Sequence, residues 1–448
     1  MNPSQIIRSL VAASVCGAIG APAFADAQAD RIQSLEKRLE GNAELIEKLS
    51  ARLADLERAA KTAPVAVAAA PAVQAAQAQA ISALQDSMTQ LTTGLNQRGV
   101  DSGVPLHGFA DVGGAWSSGK DPVTLRGFNG GTLDLYLTPQ FGARVKGLVE
   151  LAVEYGPDGV AAIDMERLQL GYTVSDAVTA WMGRFHTPMG LWNTSFHHGA
   201  NLQTSIFRPR FIDFEDKGGI IPAHSVGLWG SGKTALGTGK LTYDGYLTNA
   251  HRIVDQTLDF EAYTGESSSK MLGGNIGYQF AGALSGLSMG AHAFGTTVRT
   301  YDTNVSVLLN SSKVRMAGAY VGYDENDWEI IGEYYHFANA DINGGASHSS
   351  NLSFLQVGKT LGSLTPFVRY EDASLDATDN YFRSQASGRS YKRTALGMRY
   401  ALDPKSSFKI ELSNTSESAT TLIDGSGAFT PFTATSYRRG AIQYSVAF

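Results

Sequence analysis

The sequence predicts a transmembrane antiparallel β-barrel of about sixteen strands, preceded by a signal peptide and an α-helical coiled coil. Apolar and polar residues alternate in many short segments after residue 104, and 49 of the 448 residues are glycine. The last segment places Ile442, Tyr444, Val446 and Phe448 on one face and polar or small side chains on the other. Because strand side chains alternate with period two, such a strand suits lipid outside and a polar lumen within. A soluble sandwich can also end on an aromatic strand, so the whole chain has to support the prediction.

Residues 1–25 read as an export signal. Arg8 precedes an apolar run, and Ala23-Phe24-Ala25 is a small-x-small cleavage site that predicts a mature start at Asp26. The apolar run is too short to span ~30 Å of hydrocarbon. Cys16, the only cysteine, lies inside this segment, so the mature chain would have no disulfide and no thiolate chemistry.

Residues 26–61 carry a heptad pattern that predicts a coiled coil. The seam residues are Ile32, Leu35, Leu39, Asn42, Ile46, Leu49, Leu53, Leu56 and Ala60. A helix packed on a globular domain usually shows a wider apolar stripe, so the narrow seam favours an oligomeric coiled coil. The mixture of Ile and Leu at the core positions leaves dimer and trimer open.

Three further segments follow the coiled coil. Residues 62–80 are rich in Ala and Pro and read as a linker, because Pro64 and Pro71 interrupt any helix. Residues 81–99 show a second, shorter apolar seam and predict a short helix. Residues 104–448 form the predicted barrel, since the apolar period changes there from about 3.5 to 2.

The barrel region divides into about sixteen alternating segments. Their predicted starts lie near residues 106, 132, 143, 164, 177, 224, 239, 270, 286, 312, 327, 351, 363, 391, 406 and 437. A barrel of sixteen strands encloses an aqueous channel, whereas a smaller barrel is filled by side chains.

Charged residues recur on the polar faces of these segments. The predicted lumen residues are Arg144, Lys146, Arg167, Arg369, Arg399 and Arg439, beside Glu150, Glu154, Glu371 and Glu411. Together they would create a transverse field that selects solutes by charge. The alternative is a solvated wall whose charges only keep it wet, and for any single residue this alternative is favoured.

The stretch from Arg184 to Gly227 interrupts the strand rhythm. A loop this long is usually functional or disordered, and its aromatic residues argue against disorder. These are Trp192, Phe196, Phe207, Phe211 and Phe214. If the stretch folds inward, it narrows the pore and brings Arg208 and Arg210 to the constriction, with Arg184 and His186 at its start. The acidic residues Asp213, Glu215 and Asp216 would then neutralise the arginines or hold the loop to the wall.

Two apparent motifs carry little weight. Gly227–Thr234 matches the phosphate-binding pattern G-x-x-x-x-G-K-[ST], but strand-like alternation follows it instead of a helix, so we interpret it as a β-turn. His186, His197 and His198 are clustered, yet adjacent histidines on an extended segment point to opposite sides, so we expect hydrogen bonds to the barrel wall. We therefore predict no cofactor and no metal, and a net charge of −6 does not favour nucleic acid.

Two sequence stretches resemble known proteins. Residues 106–114, LHGFADVGG, are similar to the first barrel strand of proteobacterial outer-membrane porins, and residues 183–193, GRFHTPMGLWN, resemble a segment of porin-like proteins. The layout is similar to that of coiled-coil-bearing trimeric porins, including DcaP-like dicarboxylate porins. The resemblance implies a sixteen-stranded trimer, passive diffusion and an inward constriction loop. It transfers neither a solute nor any solute-binding residue.

The sequence thus predicts a passive outer-membrane channel for small hydrophilic solutes, with a mild preference for anions, and no enzyme. Its expected partners are outer-membrane lipid, the outer-membrane assembly machinery and two further copies of the chain. The coiled coil would lie in the periplasm of a Gram-negative bacterium. The alternatives are a structural tether between envelope layers and, less favoured, a barrel enzyme.

Overall fold

A computed structural model describes residues 106–121, 126–155, 161–196, 202–259 and 269–448. The predicted signal peptide, coiled coil, linker and short helix all lie outside these residues. Among the described residues, no helix reaches the length and apolar character needed to cross a membrane.

The described residues form an all-β protein in which sixteen antiparallel strands make a closed barrel. The barrel strands are β1 (Leu106–Ser117), β3 (Thr132–Leu137), β5 (Val145–Tyr155), β6 (Ala161–Ser175), β7 (Val178–His186), β8 (His224–Leu236), β9 (Gly239–Asn249), β12 (Lys270–Gln279), β13 (Leu287–Tyr301), β14 (Leu308–Glu325), β15 (Trp328–Asp341), β16 (Ser347–Lys359), β17 (Leu364–Ser374), β18 (Tyr391–Asp403), β19 (Ser406–Glu417) and β22 (Thr435–Ala447). Shorter strands lie in the connections: β2 (Arg126–Asn129), β4 (Gln140–Phe141), β10 (Arg252–Val254), β11 (Thr257–Leu258), β20 (Thr420–Ile423) and β21 (Phe429–Phe432).

The first and last barrel strands close the sheet. β1 pairs antiparallel with β22, and the register runs from Phe109 opposite Ala447 to Ser117 opposite Arg439. The predicted antiparallel β-barrel of about sixteen strands is therefore confirmed. The predicted strand starts also agree closely, with the largest differences at β14 and β16, which begin at Leu308 and Ser347.

The two faces of the wall differ in the way the alternation predicts. On β17, β18 and β19 the exposed side chains include Val368, Tyr370, Leu396 and Leu412. Their charged neighbours Arg369, Glu371 and Glu411 point inward and are buried, as is Lys409 beside the exposed Phe408. An apolar outer face around a charged interior is expected of a barrel that stands in lipid.

The two ends of the barrel have different connections. At one end the turns are short, as at Asn326 and Asp327, whose φ angles of 54° and 65° fit the tight two-residue turn between β14 and β15. Phe448 lies at this end, where its amide donates to the Gly108 carbonyl at 3.0 Å. Its ring occupies the space that a Cβ at residue 108 would need, so a larger residue there would force this terminal ring to move. The long connections, including residues 187–223, lie at the opposite end.

The phosphate-binding pattern at Gly227–Thr234 proves to be strand. The prediction of a β-turn was wrong, because all eight residues lie within β8 and pair with β9, and residues 227–232 also pair with β7. The glycines serve packing. A side chain at residue 227 would meet the Leu247 carbonyl oxygen, and one at residue 232 would meet the Tyr243 ring. An extended backbone offers no phosphate cradle, so the pattern is a coincidence of packing glycines.

Candidate functional site

The long connection between β7 and β8 crosses the interior of the barrel. We call residues 187–223 the lumen segment; residues 197–201 within it are not described. Although it starts and ends on β7 and β8, it contacts inward side chains of β15 to β19 on the far wall. Near its start, Glu333 of β15 accepts the backbone amides of Leu191 at 3.1 Å and Trp192 at 2.5 Å.

Charged side chains of β17 and β19 hold the middle of the lumen segment. Glu411 accepts the amides of Ile206 at 2.8 Å and Phe207 at 3.1 Å through Oε2. Arg369 donates to the carbonyls of Phe207 at 2.9 Å and Arg208 at 3.3 Å. Polar groups on an inward strand face thus replace the hydrogen bonds that this irregular backbone would otherwise lack.

Arg208 organises the lumen segment itself. Its guanidinium donates to the carbonyls of Ile212 and Phe196 and to Asn193 Oδ1, at 2.7 to 3.0 Å. It also stacks 4.4 Å from the centre of the Phe214 ring. Burial lowers the pKa of Arg208 to about 10, so it stays cationic at neutral pH. Its hydrogen-bonding capacity is directed at the protein rather than at the lumen.

Arg210 fastens the segment to the wall. Its Nη1 lies 2.5 Å from Glu417 Oε1 on β19, and its guanidinium lies over the Tyr391 ring at 4.6 Å. Its backbone amide donates to Glu371 of β17 at 2.8 Å. The two arginines that the sequence placed at a constriction are therefore anchors of the segment.

Aromatic side chains fill the interface between the lumen segment and the far wall. Trp192 and Phe211 are fully buried, and Phe214 is buried as well, whereas Phe196 and Phe207 are half-buried. The Trp192 ring lies 5.6 Å from that of Phe354. The Phe211 ring lies 5.3 Å from that of Tyr335. Such edge contacts of buried rings add to the stabilisation from apolar burial.

A cluster of charged residues lies where the lumen segment leaves β7, next to β5 and β6. Arg184 Nε donates to the Glu166 carbonyl at 3.0 Å, and His186 Nε2 lies 3.4 Å from Glu150 Oε2. Arg167 also pairs with Glu150. Glu166 is the extra residue at a register shift between β5 and β6, because Arg167 pairs with Glu150 and Met165 pairs with Leu151. His197 and His198 lie outside the described residues.

The acidic residues of the segment hold its closing end. Glu215 accepts the Ala223 amide at 2.7 Å, and its other oxygen lies 2.9 Å from His224 Nδ1. Lys217 pairs with Glu154 of β5 at 2.6 Å. The expected role of the acidic residues in holding the loop is therefore met by Glu215.

A polar cavity of about 430 Å³ remains beside the segment, towards the short-turn end. The helical turn Trp192–Ser195 forms part of its boundary through Thr194 and Ser195. Lys146, Lys233, Asp176 and Asp244 bring charge to this cavity. Lys146 lies 4.9 Å above the Trp181 ring, and its Nζ is 3.4 Å from the Thr179 hydroxyl. Asp244 accepts from the indole of Trp229 at 3.0 Å.

The other predicted wall residues divide into three groups. Arg369 and Glu371 are buried together and joined at 2.9 Å. Arg399 lies half-buried on the inward face of β18, and Arg439 pairs with Asp121 at 2.6 Å. Arg144 instead lies in the exposed turn before β5, with its guanidinium 3.4 Å from the Tyr172 hydroxyl, and so belongs to the rim.

Sequence reasoning missed three inward residues that build the site. They are Lys233, Glu333 and Glu417. The alternation within β15 and β19 could have identified Glu333 and Glu417. Their backbone partners on the lumen segment depend on tertiary structure and left no sequence signal.

No protein-family model and no curated protein sequence matches this chain. Solved structures do resemble it. The anion-selective porin of Comamonas acidovorans superposes with a TM-score of 0.52 at 15% identity, over 77% of this chain and 99% of that one. The outer-membrane channel DcaP of Acinetobacter baumannii gives 0.51 at 14% identity, over 77% and 97%. The trimer form of OmpT, an outer-membrane protein of Vibrio cholerae, gives 0.50 at 10% identity, over 77% and 99%. At these identities the likeness shows the fold.

Proposed function

We propose that this protein is an outer-membrane porin, a passive channel for small hydrophilic solutes. The observation that carries the proposal is a closed barrel with a charged interior, in which an anchored segment occupies one side and a polar cavity stays open on the other. A fixed obstruction beside an open passage selects by size without any moving part. The likeness to two outer-membrane channels supports the same conclusion.

We assign a mild anion preference to the lysines of the cavity instead of to the two arginines of the segment. Lys146 and Lys233 line the cavity, whereas Arg208 and Arg210 are engaged with protein acceptors. Of the two aspartates that line the cavity, Asp244 is already hydrogen-bonded within the protein. Its oxygens lie 3.0 Å from Trp229 Nε1 and 3.4 Å from Asn275 Nδ2. A charge in a narrow lumen acts through a lower effective dielectric than one in bulk water, so two lysines suffice for a modest bias.

The proposal includes an assembly and a location. The chain would be exported, cleaved before Asp26, inserted by the outer-membrane assembly machinery that reads the strand ending at Phe448, and assembled as a homotrimer. The OmpT structure is described as a trimer form, which favours the same state here. Residues 26–61 would reinforce the trimer from the periplasmic side through their heptad seam.

Reversal potentials in a salt gradient test the selectivity. Wild type should favour the anion, and Lys146→Gln combined with Lys233→Gln should move the reversal potential towards cation preference. Lys392→Gln is the matched control, because Lys392 is 69% exposed and paired with Asp372 away from the cavity. Cation preference in wild type, or an unchanged potential in the double variant, would remove the two lysines from the mechanism.

A further inference from the structure

A second cluster of ionisable residues lies at the long-loop end of the barrel, away from the cavity. Asp341 ends β15, His348 stands at the start of β16, and Asp376 and Asp379 lie in the connection between β17 and β18. Asp341, His348 and Asp379 are all buried, and their ligand-type atoms lie within 4.8 Å of one another. The three residues come from separate elements, so the fold itself brings them together.

The imidazole of His348 has a carboxylate oxygen close to each of its two nitrogens. Nδ1 lies 3.1 Å from Asp376 Oδ2, and Nε2 lies 3.2 Å from Asp341 Oδ2. A neutral imidazole has one N–H, which can serve only one of these carboxylates. If Nδ1–H donates to Asp376, the lone pair on Nε2 faces the oxygen of Asp341. A cation between Nε2 and Asp341 Oδ2 removes their repulsion: either a proton, which makes the ring an imidazolium that donates to both carboxylates, or a metal ion that both atoms bind.

The charge balance also favours a cation at this position. Three aspartates converge on one imidazole, and among the described residues their only ion-pair partner is His348. Asp379 is held in place from outside the cluster, because Oδ2 accepts from Asn339 at 2.8 Å and Oδ1 accepts the Tyr381 amide at 2.9 Å. Buried carboxylates are stable as anions when they are paired or coordinate a metal.

We propose that Asp341, His348 and Asp379 bind one divalent transition-metal ion, of which zinc is the best match. One imidazole nitrogen with carboxylate oxygens is a zinc-type ligand set, whereas calcium and magnesium prefer oxygen alone. Asp376 then has the orienting role seen in metal sites, where a carboxylate accepts the other ring N–H of a ligating histidine. The bound ion joins β15, β16 and the β17–β18 connection.

The site has a structural route to the lumen segment. Tyr381, within the helical turn Asn380–Arg383 that Asp379 caps, donates its hydroxyl to the Ile220 carbonyl at 2.8 Å. A metal that fixes Asp379 therefore also steadies the closing end of the lumen segment. This inference does not depend on the channel function, since zinc binding can be measured in protein that conducts no current.

Calorimetric titration of the untagged, full-length protein with zinc chloride tests the proposal, after EDTA treatment and desalting in detergent. We expect about one zinc per chain, with magnesium and calcium failing to compete at equal concentration. His348→Gln and Asp379→Asn should each weaken zinc binding at least about tenfold. His336→Gln is the control, because His336 lies on β15 against Asn351, outside the cluster, and it should bind as wild type does.

Heat-modifiable mobility on unboiled gels shows whether each variant retains its barrel. Asp379→Asn keeps a capping side chain, so it guards against a result that only reflects misfolding. The proposal fails if wild type shows no saturable zinc binding, or if folded His348→Gln and Asp379→Asn both bind zinc as tightly as wild type. If the barrel binds no zinc and is stabilised only at low pH, the cation in this cluster is a proton on His348 and the proposal is wrong.

Discussion

Arg369, on the inward face of β17, donates a 2.9 Å hydrogen bond to the backbone carbonyl of Phe207, which belongs to the connection between β7 and β8. A wall residue thus fixes a chain segment that enters from the other side of the barrel. Arg369 is fully buried and also pairs with Glu371 at 2.9 Å and Glu411 at 3.5 Å. The lumen segment is therefore held by charge-assisted hydrogen bonds, which are roughly twice as strong as neutral ones.

Replacing Arg369 with Met should release the middle of the lumen segment. The change removes the ion-pair partner of Glu371 and leaves Glu411 only its longer ion pair with Arg393 at 3.8 Å. Breaking a buried pair in this way costs about 3–5 kcal/mol. We expect larger and noisier single-channel currents and a lower unfolding temperature. Lys392→Met, on the exposed side of the neighbouring strand, should change neither. Currents of wild-type size and noise from Arg369→Met would show that the anchor is dispensable.

Trp192→Ala should loosen the start of the segment by a different route. Trp192 is fully buried against Phe354 and Phe196, and truncating a buried Trp costs about 3–5 kcal/mol through lost transfer energy and the remaining cavity. Thermal unfolding and conductance measured together should show a less stable and wider channel. Trp328→Ala removes an indole that is 41% exposed, so it should be nearly neutral. Equal effects of the two substitutions would contradict the packing account.

The barrel could be predicted from the sequence much more fully than the site. Strand positions followed from local alternation, because each strand of the wall has lipid on one side and a polar interior on the other. Residues such as Lys409 and Glu411 reveal their face through Phe408 and Leu412 beside them. The contacts of Arg208 and Arg210 could not be predicted, since their partners lie on remote elements. The aromatic content of the lumen segment did indicate burial, and Trp192 and Phe211 confirm it.

Asp213 gives the lumen segment a pH dependence. Burial raises the pKa of Asp213 from 3.8 to about 6, against the opposing charges of Arg208 and Lys217. The folded state therefore binds this proton more tightly than the unfolded state does. The contribution of this proton to the free energy of unfolding is complete below about pH 4 and is lost as the pH rises through about 6. Asp213→Asn should match wild type near pH 4 and be more stable at pH 8. The same difference in melting temperature between the two proteins at both pH values would refute this.

The heptad seam makes a prediction outside the described residues. A peptide spanning residues 26–61 should be helical and oligomeric at high micromolar concentration, because a monomer would expose its leucines to water. Leu49→Asp with Leu53→Asp should abolish that helicity. Analytical ultracentrifugation with circular dichroism decides the matter, and an unfolded, monomeric wild-type peptide would exclude a role for this region in assembly.

Single-channel recording in planar bilayers, with and without the lumen segment, tests the central claim most directly. His186 and His224 stand opposite each other at the ends of β7 and β8, so a short Gly-Ser turn can replace the residues between Thr187 and Ala223 and keep the barrel closed. Wild type should give discrete, ohmic steps, and the shortened protein should give larger steps with weaker discrimination by solute size. Silent bilayers with correctly folded wild type, or steps of equal size from both proteins, would contradict a channel narrowed by this segment.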